Sequence, residues 1–205
     1  MRKTFKRWFV KTKLKVSRYK NRLILLRIAN LPIEDTVRLS GDEKALMEKF
    51  VETAKGSPLV TRKGKTVFML KAVEDMELWD VLETRRAEDA KGRIKAWTRG
   101  EFEPKVLNDL VKADKYVTDS LKFADELEGA IFRGIHRGGG SDESSDDPIK
   151  QAENLLGLVQ LVSELFRCTF EEAKRMNYTD AMLAIAKRSR EIEKQKQELK
   201  KQQRR

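Results

Sequence analysis

The residues Gly64-Lys65-Thr66 match the last three positions of a phosphate-binding loop, in which backbone amides and a lysine hold the phosphates of a nucleotide. Such a loop also needs a glycine five positions earlier, and it runs from a strand into a helix. Leu59 occupies the position of that glycine, and residues 67–70 read as a strand. Two short apolar runs around a charged turn with a glycine therefore predict a β-hairpin instead of a nucleotide site.

The side chains that most often carry catalysis or bind metals are scarce. Cys168 is the only cysteine and His136 the only histidine, so neither a Cys/His metal cluster nor a Cys–His or Ser–His catalytic pair is expected. His136 lies between two arginines beside a glycine run, which is typical of a solvated loop. Carboxylates are frequent, but no spacing singles out a pair for acid–base chemistry. We therefore expect a protein that is not an enzyme and that uses no metal and no cofactor.

Positive charge is concentrated at the two ends of the chain. The net charge is +11, and residues 1–28 contain eleven Lys/Arg with no Asp/Glu. Residues 187–205 contain nine Lys/Arg against three Glu, whereas residues 29–186 contain 24 Lys/Arg against 30 Asp/Glu. Basic ends on an acidic body indicate arms that contact phosphate groups or an acidic protein surface.

The N-terminal arm alternates between apolar and basic residues, as a β-strand does. One face of such a strand would carry Trp8, Val10, Thr12, Leu14 and Val16, and the other Lys11, Lys13 and Lys15. One interpretation is a strand that faces the core, with lysines opposite that prevent unwanted edge pairing. The other is nucleic-acid contact, because aromatic residues among bases can stack on single strands. The candidate contacts for nucleic acid or an acidic partner are Arg2, Lys3, Lys6, Arg7, Trp8, Lys11, Lys13, Lys15, Arg18, Lys20 and Arg22.

The fold class is expected to be α+β, with a β-hairpin or small sheet and long amphipathic helices in the N-terminal region. Residues 23–28 fit either a second strand or a buried helix. Ser40 and Glu43 form a capping-box pattern that opens a helix ending before Gly56. A helix is then expected from residue 74 through residue 97, and another from Pro104.

The segment RGGGSDESSDDP, residues 137–148, has no apolar residue and is predicted to be a linker. We therefore expect an α+β domain with a basic arm at 1–137, a linker at 138–148, and a helical domain with a charged tail at 149–205. The helical domain should contain three helices, the second opened by a capping box at Thr169–Glu172 and the third capped by Thr179-Asp180. A unit this small is expected to need a partner for stability.

The C-terminal part contains in order Phe166, the capped segment Thr169-Phe170-Glu171-Glu172, Tyr178 and Met182-Leu183. Over residues 150–190 this order resembles the C-terminal portion of tail assembly chaperones of tailed bacteriophages. The resemblance implies a protein that binds the tape-measure protein or tail-tube subunits during virion assembly, with no cofactor. Nucleic-acid binding through the basic ends is the alternative function.

Apolar residues of the helical unit are the expected partner-binding surface, because three short helices cannot hide them all. They are Leu155, Val159, Val162, Phe166, Phe170, Tyr178, Met182 and Leu183. The alternatives are that this face packs on the first domain or closes into a small core of its own. Self-association remains open.

The sequence has no apolar run near the roughly 20 residues that span a bilayer, so no membrane association is expected. The basic first residues resemble a transit peptide in composition, but their strand-like alternation argues against one. A lone cysteine suits a reducing compartment such as the cytoplasm. For a phage protein this would be the cytoplasm of the host cell. Presence in the finished virion is left open.

Overall fold

The computed structural model describes residues 22–62, 65–131 and 148–203, with the backbone alone for residues 62, 148–155 and 203. Several sequence predictions concern residues outside these ranges. They are the N-terminal strand at 8–16, the tip of the hairpin at 63–64, the loop around His136 and the linker at 138–147.

The described chain forms eight α-helices and one two-stranded antiparallel sheet, which confirms the α+β fold class. Residues 22–29 are helical and form α1, so the segment 23–28, for which the sequence allowed a strand or a helix, is a helix. The other helices are α2 Gly41–Thr53, α3 Leu78–Arg86, α4 Ala90–Trp97, α5 Leu107–Ile131, α6 Pro148–Phe166, α7 Phe170–Lys174 and α8 Tyr178–Gln203. The strands are β1 Leu59–Arg62 and β2 Lys65–Met69, and short 3-10 helices span Ile33–Arg38 and Val73–Asp75.

The hairpin predicted around residue 64 is confirmed, since β1 pairs antiparallel with β2. Val60 is buried, and its partner Phe68 stacks on Phe102 with ring centroids 5.0 Å apart. The chain thus passes from a strand into a strand, and Lys65-Thr66 begin the second one. A phosphate-binding loop would need a helix at this point, so the geometry does not fit that motif.

Both predicted capping boxes are present. The amide of Glu43 donates to Ser40 Oγ at 3.4 Å, and the amide of Ser40 donates to the Glu43 carboxylate at 3.1 Å. Thr169 and Glu172 repeat the arrangement at the start of α7, with corresponding distances of 3.3 and 2.8 Å. The amide hydrogen bonds of Ser40 and Thr169 lower the pKa of Glu43 and Glu172. Local sequence alone is sufficient to specify these two helix starts.

The single helix predicted over residues 74–97 is wrong. The chain leaves the helix after Arg86 and starts again at Ala90, so that α3 and α4 form a pair of contacting helices. The Asp89 side chain caps α4 by accepting a hydrogen bond of 2.6 Å from the amide of Gly92. This cap satisfies a free amide of the new helix and thereby favours the interruption.

Two other predicted helix starts need correction. Helix α5 begins at Leu107, not at Pro104, because Val106 forms a bridge with Pro32 and the Leu107 amide donates to the Leu31 carbonyl. Helix α8 begins at Tyr178, and its cap is Asn177 in place of Thr179-Asp180. The Asn177 side-chain oxygen accepts from the amides of residues 179 and 180 at 3.0 and 3.2 Å.

One large core contains residues from both sides of the predicted linker. Leu78, Val81 and Val117 contribute from the first part, and Val159 and Ile185 from the second. Helix α8 contacts α3 and α5, and α6 and α7 contact α3. The three helices predicted after the linker are therefore present, and they pack on the α+β part to complete a shared core.

A second, smaller core lies beneath α1 and α2, where Ile28 and Leu39 meet Leu107 and Val111 of α5. The chain then leaves α2 and crosses α5 closely at Gly56. A Cβ atom on Gly56 would lie 2.6 Å from the backbone nitrogen of Tyr116. Only a glycine fits this crossing without a shift of the backbone.

Candidate interaction site

The eight apolar residues predicted to bind a partner do not form one open face. Val159, Val162, Tyr178 and Met182 are buried in the main core. A partner cannot contact these four side chains in this structure, which corrects the prediction for them. The physical reason is that α6 and α8 place their apolar sides on α3 and α5, the alternative that the sequence had left open.

The other four predicted residues have different environments. Phe166 and Leu183 are exposed, whereas the side chain of Leu155 lies outside the described part. Phe170 is half-buried beneath the ammonium of Lys174, which lies 5.0 Å from its ring centroid and 4.6 Å from that of Trp79. Phe170 thus helps to attach α7 to α3, and Phe166 and Leu183 remain as candidates for a partner.

Helix α6 has more apolar residues than the core covers. Leu156 and Leu161 are exposed on the same helix whose Val159 and Val162 are fully buried. A helix with apolar residues all round is usually enclosed on all sides. Sequence reasoning missed Leu156 and Leu161 because it assigned α6 a single apolar face, although the run Leu158-Val159-Gln160-Leu161-Val162 already showed the excess.

A polar cluster joins α3, α5 and α8 near the buried start of α8. The guanidinium of Arg85 donates to Glu128 at 2.9 Å, to Asp125 at 2.8 Å and to the Tyr178 hydroxyl at 3.1 Å. The Tyr178 hydroxyl in turn donates to Glu128. Burial and the hydrogen bond to Glu128 raise the pKa of Tyr178, although the charge of Arg85 acts in the opposite direction. The cluster fixes the orientation of the C-terminal helices on the body.

A second polar contact fixes α4 against α3. Arg99 Nε lies 3.0 and 2.9 Å from the two carboxylate oxygens of Asp80, and Arg99 also pairs with Glu77. Arg99 adopts a φ of +51° and ends α4, with the Gly100 amide donating to the Lys95 carbonyl at 2.8 Å. This is a Schellman ending with an arginine at the position that glycine usually occupies. Its ion pairs give a reason for the strained backbone.

An open cleft of about 580 Å³ lies beside this contact, between α3 and α4. Trp79, Glu83, Arg86 and Lys95 line it together with Asp80 and Arg99. The polar side chains in the cleft are of mixed sign, and Asp80 is engaged by Arg99. Among the described residues, no group of three or more His, Cys, Asp or Glu side chains is placed to hold a metal ion. The ion pair of Arg99 with Asp80 holds α3 and the end of α4 together beside the cleft.

The charged end of α8 extends past the body. Arg190 donates to the carbonyl of Ile131, the last residue of α5, at 2.7 Å. A stripe with one apolar residue every seven positions follows α8: Tyr178, Ile185, Ile192 and Leu199, with exposed fractions of 0, 6, 38 and 58%. Residues seven apart lie on nearly the same side of a helix. The side that is buried at the start of α8 is therefore open to solvent at its end.

Of the predicted nucleic-acid contacts, only Arg22 lies within the described residues, where it is exposed in α1. The other ten, from Arg2 to Lys20, lie outside them. None of the helices in the described ranges combines the length and apolarity needed to cross a bilayer. No family model matches the chain, and neither a curated protein nor a solved structure matches it.

Proposed function

We propose that this protein is a non-enzymatic interaction protein that binds another protein during the assembly of a larger structure. The observation that carries the proposal is the set of large apolar side chains left exposed on α6 and α8. They include Leu156, Leu161, Phe166 and Leu183, and Ile192 and Leu199 are exposed further along α8. Covering one such side chain contributes about 1.5–3 kcal/mol, so a partner that covers several gains substantial affinity.

The proposed partner is the tape-measure protein or a tail-tube subunit of a tailed bacteriophage, and the protein acts on it as a chaperone. This identification rests on the resemblance of residues 150–190 to tail assembly chaperones. An unassembled tail protein exposes the apolar segments that it later buries in the tail. Exposed apolar residues on α6 and α8 offer a temporary cover for such segments.

The test is a binding measurement between the purified chain and a tape-measure protein of a tailed bacteriophage. The double variant Phe166→Ser/Leu183→Ser should raise the dissociation constant at least 10-fold, because two apolar contacts are lost. Val37→Ser is the matched control, since Val37 is 78% exposed on the 3-10 helix at Ile33–Arg38. Equal affinities of the wild type, the double variant and Val37→Ser for the tape-measure protein, or no binding by any of them, would reject this partner.

Nucleic-acid binding is a second candidate, and it is favoured by the exposed lysines of the α8 end, among them Lys194, Lys196 and Lys200. Contacts to phosphates make the logarithm of affinity fall with the logarithm of salt by roughly 0.7–0.9 per contact. A steep salt dependence with generic DNA or RNA that decreases on deletion of residues 1–20, and decreases again in Lys194→Ser/Lys196→Ser/Lys200→Ser, would favour this candidate. Weak binding with little dependence on salt would reject it.

A further inference from the structure

The end of α8 is left uncovered by the rest of the described chain. Every side chain from Lys187 to Gln202 is exposed or half-buried. Tyr178 and Ile185, on the same side of the helix, are buried in the main core, and Ile192 and Leu199 continue their stripe into solvent. The face by which α8 packs inside the protein therefore extends past the point where the protein covers it.

The shape of this stripe suits another helix. One aliphatic residue in every seven gives a narrow seam, which a single partner helix can cover. A helix that lies on a membrane has a broad apolar face instead, whereas the polar side chains of Gln195 and Gln202 border Ile192 and Leu199. Phosphate groups of a nucleic acid gain nothing from aliphatic side chains and are repelled by the three glutamates of residues 187–205.

The charge beside the stripe indicates the sign of the partner. Lys196 lies one turn after Ile192, and Lys200 one turn after Lys196, so both border the same edge of the stripe. Both lysines are exposed, and no described carboxylate pairs with either of them. Residues 187–205 contain nine Lys/Arg against three Glu, so a second copy of this helix would be repelled. We propose that the end of α8 binds an acidic amphipathic helix of another protein.

In this arrangement the aliphatic residues of the partner helix cover Ile192 and Leu199, and its carboxylates face Lys196 and Lys200. Apolar burial supplies affinity, and the charges select an acidic partner over a basic one. Leu183 lies about 200° around α8 from Ile185, on the opposite side of the helix. The surface is therefore distinct from the one tested by Phe166→Ser/Leu183→Ser, and it can be tested without a tape-measure protein.

The probes are two synthetic amphipathic helices of about three heptads, with leucine at the a and d positions. The flanking positions are glutamate in the acidic peptide and lysine in the basic peptide. Fluorescence anisotropy with the full chain should show at least 10-fold tighter binding of the acidic peptide. Ile192→Gln/Leu199→Gln should raise the dissociation constant of the acidic peptide at least 10-fold, while glutamine preserves the helix propensity. An unchanged melting temperature shows that the body of the variant is intact.

A pair of charge variants tests the position of the lysines. Lys196→Glu/Lys200→Glu should reverse the preference, so that the basic peptide binds more tightly. Lys194→Glu/Lys201→Glu is the matched control, because it changes the net charge equally on the side of α8 that lies opposite Ile192 and Leu199. This control should keep the preference for the acidic peptide.

The other occupants of the α8 end give different results. Equal effects of the two charge variants would show attraction by net charge alone and would overturn the proposal. So would equal binding of both peptides, or binding of neither. Sedimentation that shows self-association, lost in Ile192→Gln/Leu199→Gln, would make the occupant a second copy. Binding of generic DNA that is lost in Lys196→Glu/Lys200→Glu, without binding of the acidic peptide, would assign the lysines to nucleic acid.

Discussion

The buried hydroxyl of Tyr178 donates a hydrogen bond to the carboxylate of Glu128, fifty positions earlier in the chain. Glu128 also accepts from Arg85, so one carboxylate joins α3, α5 and α8. Arg85 and Glu128 precede residues 132–147 and Tyr178 follows them. The contact therefore helps to hold the C-terminal helices on the rest of the protein.

Tyr178→Phe should lower the free energy of unfolding by about 1–3 kcal/mol, because Glu128 and Arg85 lose a buried hydrogen-bond partner. Urea denaturation followed by circular dichroism measures the loss. Tyr116→Phe is the control, since the Tyr116 hydroxyl makes a more exposed hydrogen bond of 3.3 Å to the Lys71 carbonyl and should matter less. Equal losses in both variants would contradict a special role for Tyr178.

The same tyrosine predicts a dependence on pH. Its pKa is raised by burial and by Glu128, so the folded protein keeps the phenol proton above about pH 10, where the unfolded chain loses it. The resulting contribution to stability is complete below about pH 10 and declines as the pH rises further. The difference in unfolding free energy between the wild type and Tyr178→Phe should therefore be constant below about pH 10 and shrink as the pH rises above it. A difference in unfolding free energy that stays constant at high pH would contradict the raised pKa of Tyr178.

Arg99 offers a test of backbone strain. Both Arg99→Ala and Arg99→Gly lose the ion pairs with Asp80 and Glu77, but only glycine adopts a φ of +51° without steric cost. The glycine variant should therefore be more stable than the alanine variant by about 1 kcal/mol. Arg167 has a φ of +52° and no ion pair with a described residue, so Arg167→Gly should raise the melting temperature. A lower melting temperature in that variant would count against strain.

Gly56→Ala should destabilise the protein by about 1–3 kcal/mol, because the new methyl group would overlap the backbone of Tyr116. Gly129→Ala is the matched control within α5, where a Cβ meets nothing within 4 Å. That change should stabilise the protein by about 0.5–1 kcal/mol through helix propensity. Thermal denaturation of the two variants should thus give shifts of opposite sign.

A fragment containing residues 148–205 should be poorly folded or self-associating when isolated. Its core-facing residues Val159, Val162 and Tyr178 would lose the α3 and α5 side chains that complete the core. Circular dichroism on heating and sedimentation measure the two outcomes, and adding residues 1–137 as a second chain should restore cooperative unfolding. A cooperative monomer would show instead that α6–α8 close a core of their own.

Features set by a few neighbouring residues were predictable from the sequence. The capping boxes at Ser40 and Thr169 and the hairpin each depend on residues close together in the chain, and all three are present. The break before α4 was missed because Asp89 caps a helix within an otherwise continuous helical pattern. Helix propensities summed along a segment do not show the effect of one side-chain hydrogen bond.

The burial of the predicted partner face was not predictable in the same way. Helical periodicity shows which residues share a side, as Val159 and Val162 do, but not what covers that side. The cover comes from α3 and α5, and the ion pair of Arg85 with Asp125 joins residues forty positions apart. Such contacts depend on the whole topology of the chain. The sequence also revealed nothing of the strained Arg99, whose φ becomes understandable only with Asp80 beside it.

Helix α8 is held by the core at Tyr178 and is open to solvent at Leu199. The two residues are about 30 Å apart along a continuous helix, at about 1.5 Å per residue. A load applied at Leu199 acts first on the hydrogen bond from Arg190 to the Ile131 carbonyl, and beyond it on the contact between Tyr178 and Glu128. A partner that binds this end therefore acts, through a rigid helix, on the place where α8 is attached to α5.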